Sequence, residues 1–135
     1  MDPPRLTPTG KPYDLHERLL LFACDAVSTV QFLHKRGPIG RALSYQLLAS
    51  ATSVGANYEE ADGASSHDDF IAKTRIALKE AKEARFRLRV CRQSGLLDAK
   101  FDALVQESDE IVRILGKLVH TALERKARTS TKSQR

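Results

Sequence analysis

Glycine and proline divide this chain into four long tracts, and within each tract the apolar residues recur every three or four positions. That spacing builds one apolar stripe per helix. No stretch alternates with period two for long enough to predict a strand. The first tract runs from about Tyr13 to Lys35, with Leu15, Leu19, Phe22, Ala23, Ala26, Val27, Val30 and Leu33 as its stripe. His34, Lys35 and Arg36 place donors at its C-terminal carbonyls, and Gly37-Pro38 ends it. The second tract runs from about Arg41 to Glu60 on Leu43, Leu47, Ala51, Val54 and Tyr58. It is rich in Ala, Ser, Thr and Gly, of which the last three are mediocre helix formers, so close packing on several sides must hold it. Asp62-Gly63-Ala64-Ser65 breaks it. The third tract starts at Ser66, an N-cap with Asp69 three residues on, and ends at Gly95. The fourth starts with Asp98 as N-cap and runs to about Lys126 on Phe101, Leu104, Val105, Ser108, Ile111, Val112, Leu115, Leu118, Val119 and Ala122.

Four helices of roughly 20 to 29 residues with short connections predict an all-α, antiparallel up-down-up-down four-helix bundle. Residues 13–126 form that bundle. Residues 1–12, with four of the five prolines, read as an extended or disordered leader, and residues 127–135 as a basic disordered tail. At 135 residues the chain is one domain, large enough for a core without metals or disulfides. The N-terminus lacks the apolar segment of a signal peptide, and no apolar run approaches membrane-spanning length, so no membrane role and a cytoplasmic location are expected. Cys24 and Cys91 form no CxxC pair and read as buried, reduced thiols.

The third tract has two faces. Phe70, Thr74, Ala77, Ala81, Ala84, Leu88 and Cys91 step 4-3-4-3-4-3 along one seam, which Ile71 and Leu78 widen. Ile76, Phe86 and Val90 point to the opposite side, which predicts a second buried surface and self-association. Arg75, Lys82 and Arg89 repeat every seven residues and make a row on the flank, with Lys79 and Arg92 nearby. From Ser66 to Gly95 there are eight Lys or Arg against four Asp or Glu, and the whole chain carries a net charge of +5. Such a row is either a solvated face or a binding site for phosphates.

Catalytic and metal patterns are missing, and neither an enzyme nor a cofactor is expected. None of the eight glutamates has a histidine three residues later, as a di-metal bundle needs. His16, His34, His67 and His120 share no ligand spacing, and no nucleophile elbow, Walker motif or dinucleotide fingerprint occurs. Asn57 and Glu60, at the end of the second tract, read as structural hydrogen-bonding groups.

Two blocks carry a family resemblance: Gln46-Leu47-Leu48-Ala49-Ser50-Ala51-Thr52-Ser53-Val54-Gly55-Ala56-Asn57-Tyr58-Glu59-Glu60-Ala61, and the run from Asp69 to Arg89. They resemble the small bacterial four helix bundle proteins, related to proteins encoded by intervening sequences in large-subunit ribosomal RNA genes. The resemblance implies a homopentamer of bundles. Its distant relatives include retroelement accessory proteins that bind nucleic acid and a reverse transcriptase, so RNA or DNA and a protein of that kind are the implied partners. Leu48 and Ala49 stand where the family often has arginine, and Gly55 where it often has proline. The functional expectation is a non-catalytic, oligomeric bundle that binds nucleic acid through the backbone. The alternative is a structural or protein-interaction scaffold whose charge serves solubility.

Overall fold

Each helix starts and stops where local chemistry supplies partners for its terminal backbone groups. The computed structural model describes residues 6–7, 10–11 and 14–133. Its elements are α1 (Leu15–His34), α2 (Gly37–Asp62), α3 (His67–Gln93) and α4 (Asp102–Ser133), with a 3-10 turn at Ala99–Phe101 leading into α4. The expected leader falls largely outside the described residues, as do residues 134–135. The Asp14 carboxylate accepts from the His16 N–H at 2.9 Å, and Ser66 Oγ from the Asp69 N–H at 3.0 Å, as the N-cap pattern requires. Asp98 caps the 3-10 turn, accepting from Lys100 N–H at 3.1 Å, rather than α4 directly. Gly95 follows α3 with φ 85°, a conformation that favours a residue without Cβ.

Two boundaries differ from the sequence expectation. Gly37, at φ 88°, both closes α1 and opens α2, which therefore begins before Arg41. The reason is Pro38: in the first turn of a helix its missing N–H costs nothing and its fixed φ is already helical. At the other end, α4 continues to Ser133 instead of giving way to a disordered tail after Lys126. No glycine or proline follows Lys126, Thr129 and Thr131 donate to carbonyls one turn back at 3.0 Å, and cations complement the C-terminal end of the helix dipole.

Cross-helix pairs set the directions. His16 meets Glu59 while His34 meets Tyr45, so α1 and α2 are antiparallel. Glu60 pairs with Lys73 while Leu43 faces Val90, so α2 and α3 are too. Asp68 meets Lys126 and Arg92 meets Asp102 between α3 and α4. The four helices pack as the expected antiparallel bundle, α2 between α1 and α3. α4 packs broadly on α3 and touches α1 over a much smaller area.

The core is built from Leu19, Phe22, Leu33, Leu47, Val54, Leu88, Ile111 and Leu115, all sealed from water. On α3, Thr74, Ala77, Ala81, Ala84, Leu88 and Cys91 are buried as the seam predicts, with Ile71; Phe70 and Leu78 are half-buried. The small residues of α2 serve close approach. A Cβ on Gly55 would rest on Leu19, and one on Gly40 would collide with the Leu33 carbonyl. Buried hydroxyls on Thr29, Ser44, Ser50, Thr74 and Ser108 donate to carbonyls three or four residues back. Among the described residues no buried side-chain N or O lacks a partner. Two placements on α1 differ from expectation. Val27 and Cys24 are exposed, because α1 carries more apolar residues than one face can bury, whereas Cys91 is buried and burial pushes its thiol up. No helix among the described residues is long and apolar enough to cross a membrane.

Candidate nucleic-acid interface

Packing the alanine seam of α3 inward leaves the opposite half of that helix in water. Arg75, Lys79, Lys82 and Arg89 are all exposed, and none forms an ion pair with a described residue. Arg75, Lys82 and Arg89 follow one another at about 10 Å intervals along the axis. The other cations of α3 are committed. Arg92 donates to Asp102 at 2.7 Å, Arg85 to Asp109 at 3.0 Å, and Lys73 meets Glu60 at 3.3 Å. Arg92 therefore differs from the other four candidate residues. Its charge is already answered by a carboxylate, which holds the guanidinium above its ordinary range, the hydrogen bond to Asp102 being the first cause.

Ile76 and Phe86 lie on the outer side, 42% and 67% exposed, and Val90 is half-buried. Phe86 and Val90 join Leu43 of α2 in an open apolar groove of about 400 Å³, with Lys82 and Arg87 on its rim. The basic row and this groove are neighbours on the same helix.

Of the two structural polar residues expected in α2, Asn57 is half-buried and donates to the Ser53 carbonyl at 2.8 Å. Glu60 does not belong to the interior. It is exposed, because its position on α2 turns toward the surface edge of α3, where it meets Lys73. The neighbouring carboxylates hold His16 instead: Glu59 lies 2.8 Å from Nδ1 and Asp62 3.3 Å from Nε2. Partial burial opposes the charge on His16. The hydrogen bond to Glu59 and the charges of Glu59, Asp62 and Asp14 outweigh it, and the pKa is raised above 6.5. The extra stability is therefore fully present below the unfolded value and is lost as pH rises through the folded one. An NMR titration of the His16 ring is expected to give a midpoint above 6.5, and a midpoint at or below that value would contradict the two-carboxylate geometry.

The sequence reading missed a charged group inside the bundle. Arg18 of α1 is buried, and its Nε and Nη2 donate to the two carboxylate oxygens of Glu107 at 2.9 and 2.7 Å. Nη2 also donates to Glu110 at 2.8 Å. The bond to Glu107 raises the guanidinium above its ordinary range, against the effect of burial. A signal was present. Arg18 fits between Leu15 and Phe22 in the helical step of α1, and Glu107 between Leu104 and Ile111 in that of α4, so opposite charges stood on two apolar stripes. Among the described residues no cluster of His, Cys, Asp or Glu is arranged to hold a metal.

A family model described as 23S rRNA-intervening sequence protein matches residues 21–117. A solved structure from Bacteroides thetaiotaomicron, described as a protein with unknown function from the S23 ribosomal protein family, is similar at 32% identity and a TM-score of 0.71. The match covers 78% of this chain and 97% of that one. No curated protein matches.

Proposed function

We propose, from the premise that this chain belongs to the 23S rRNA-intervening sequence protein family, that it is a non-catalytic, self-associating cytoplasmic bundle that binds nucleic-acid backbone. The observation that carries the reading is the set of four exposed cations, Arg75, Lys79, Lys82 and Arg89, on one outer side of α3, none paired with a described residue. The family description names 23S rRNA intervening sequences, which makes RNA the polyanion to test first. Among the described residues Phe86 is the one exposed aromatic beside the row, so contacts go to phosphates rather than stacked bases, and sequence preference is weak. Assembly into a homopentamer multiplies the row, and the exposed Ile76 and Phe86 beside Val90 supply apolar surface for it. Free thiols at Cys24 and Cys91 suit a reducing compartment.

The test is a salt series on unrelated RNA and DNA sequences. Each phosphate neutralised contributes about 0.7 to 0.9 to the slope of log affinity against log salt. Changing Arg75, Lys82 and Arg89 together to Glu is expected to flatten that slope by about two or more and to abolish binding near physiological salt. Helicity stays, because Glu is as good a helix former as Lys or Arg. An unchanged slope with an unchanged assembly supports the second reading, a protein-interaction scaffold, which the apolar groove of Leu43, Phe86 and Val90 favours.

A further inference from the structure

Beyond Ala122, which is buried, α4 leaves the core of the bundle. Every residue from Glu124 to Thr131 is exposed, yet the helix continues to Ser133, so residues 124–133 run about 15 Å. From Arg125 to Arg135 the sequence holds five Lys or Arg and no Asp or Glu. Lys126 is engaged by Asp68 at 2.9 Å. Arg125 and Arg128 are exposed, and neither forms an ion pair with a described residue. Glu124, one turn before Arg128, pairs with His120 at 2.9 Å instead. Steps of three and seven residues from Arg125 put positions 128 and 132 on its side of the helix, within about 60°. The match to the family model ends at residue 117, so this basic end lies outside it.

We infer that this exposed end of α4 is a second contact site for nucleic-acid backbone, separate from the row on α3 and carried by Arg125 and Arg128, with Lys132 next in register. The residue types decide the kind of partner. A helix that lies on a membrane surface needs an apolar face beside its cations. A helix that docks into a protein groove needs apolar anchors at i, i+3 or i+4 and i+7. From Glu124 onward the only apolar side chain is that of Ala127, so neither requirement is met. What the segment holds is cations and the small hydroxyl residues Thr129, Ser130 and Thr131. Arg, Lys, Ser and Thr are the types that contact phosphate and sugar oxygens. A guanidinium also offers a planar fork that matches two phosphate oxygens at once. Small neighbours keep the helix slim, which lets it approach a strand closely. The inference takes its polymer from the reading above and places a site on a different helix, so the two can fail separately.

The experiment compares wild type with two full-length double variants of equal charge. One is Arg125→Gln with Arg128→Gln. The control is Lys35→Gln with Arg41→Gln, two exposed cations at the α1–α2 turn. Arg36 ties that turn to the Gly95 carbonyl, at the end of α3 remote from Asp68. Gln is as good a helix former as Lys or Arg, so far-UV circular dichroism and the mass by light scattering are expected to match wild type. The probe is a duplex RNA of arbitrary sequence, titrated across a salt series. The α4 variant is expected to flatten the slope of log affinity against log salt by about 1.4 to 1.8, the share of two phosphates, while the control keeps the wild-type slope. A wild-type slope for the α4 variant, or an equal fall in the control, overturns the site. If the Arg75, Lys82 and Arg89 variant flattens the slope and the α4 variant does not, the α3 row stands and this inference falls; the reverse result leaves the α4 site standing without the row. Vesicles of anionic phospholipid are the second probe. Vesicle binding that the α4 variant loses, with its RNA slope unchanged, overturns the inference in favour of a membrane surface.

Discussion

Glu107→Ala is expected to cost about 3 to 5 kcal/mol of folding stability, the range found when one partner of a buried ion pair is removed. The geometry supports the upper part of that range. Side-chain exposure is 10% for Arg18 and 2% for Glu107, so solvent screens the pair little. The contact is bidentate, at 2.7 and 2.9 Å. Among the described residues, deleting the carboxylate leaves the guanidinium with the half-exposed Glu110 alone. Glu110→Ala is expected to cost less, about 1 kcal/mol, because its partner keeps the bidentate bond. Replacing Arg18 and Glu107 together by Met and Leu is expected to recover most of the loss, since two apolar residues need no ionic partner. Urea unfolding with the slope held common reads all three variants against wild type. A loss below about 1 kcal/mol for Glu107→Ala would mean that water reaches Arg18 through the narrow α1/α4 seam.

Phe22→Ala and Phe86→Ala remove the same ring and are expected to differ by several kcal/mol. Phe22 is 1% exposed and sits in the core with Leu19 and Ala26, so truncation loses transfer energy and leaves a cavity, about 3 to 5 kcal/mol together. Phe86 is 67% exposed within one chain, and its removal is expected to change stability by no more than about 0.5 kcal/mol at dilutions where chains are separate. At higher concentration Phe86→Ala is expected to weaken self-association while Phe22→Ala weakens folding. Thermal unfolding across a dilution series separates them. A large stability loss for Phe86→Ala in separated chains would place that ring in the fold rather than on a docking surface.

The bundle was legible because its information is periodic. The Gly/Pro breaks place the α1–α2, α2–α3 and α3–α4 connections, and the 4-3 seam of α3 identifies its buried alanines. What escaped depends on three dimensions. Pro38 reads as a stop, and only its position after Gly37 makes it a first-turn residue. The cations after Lys126 read as a loose tail by composition, yet Arg128 and Lys132 continue the helix, in a stretch with no glycine or proline. Val27 fits the stripe of α1 by spacing, but burial depends on how wide a face the neighbours cover. Of the candidate site, the row Arg75, Lys82 and Arg89 was visible from its seven-residue repeat. That Arg92 is paired and Glu60 exposed follows from the neighbours across α4 and α3, which no single helix reveals.

The narrow seam between α1 and α4 has a consequence for how this chain reaches its native state. Each broad helix interface joins elements consecutive along the chain, while the Arg18–Glu107 contact closes a loop of 89 residues. The longest-range contacts are therefore few, and the rest of the topology has low contact order. A three-helix unit of α1, α2 and α3 can condense first and α4 can dock afterwards. In native-state hydrogen exchange, the amides at the free flank of α4 are accordingly the ones placed to open without the others.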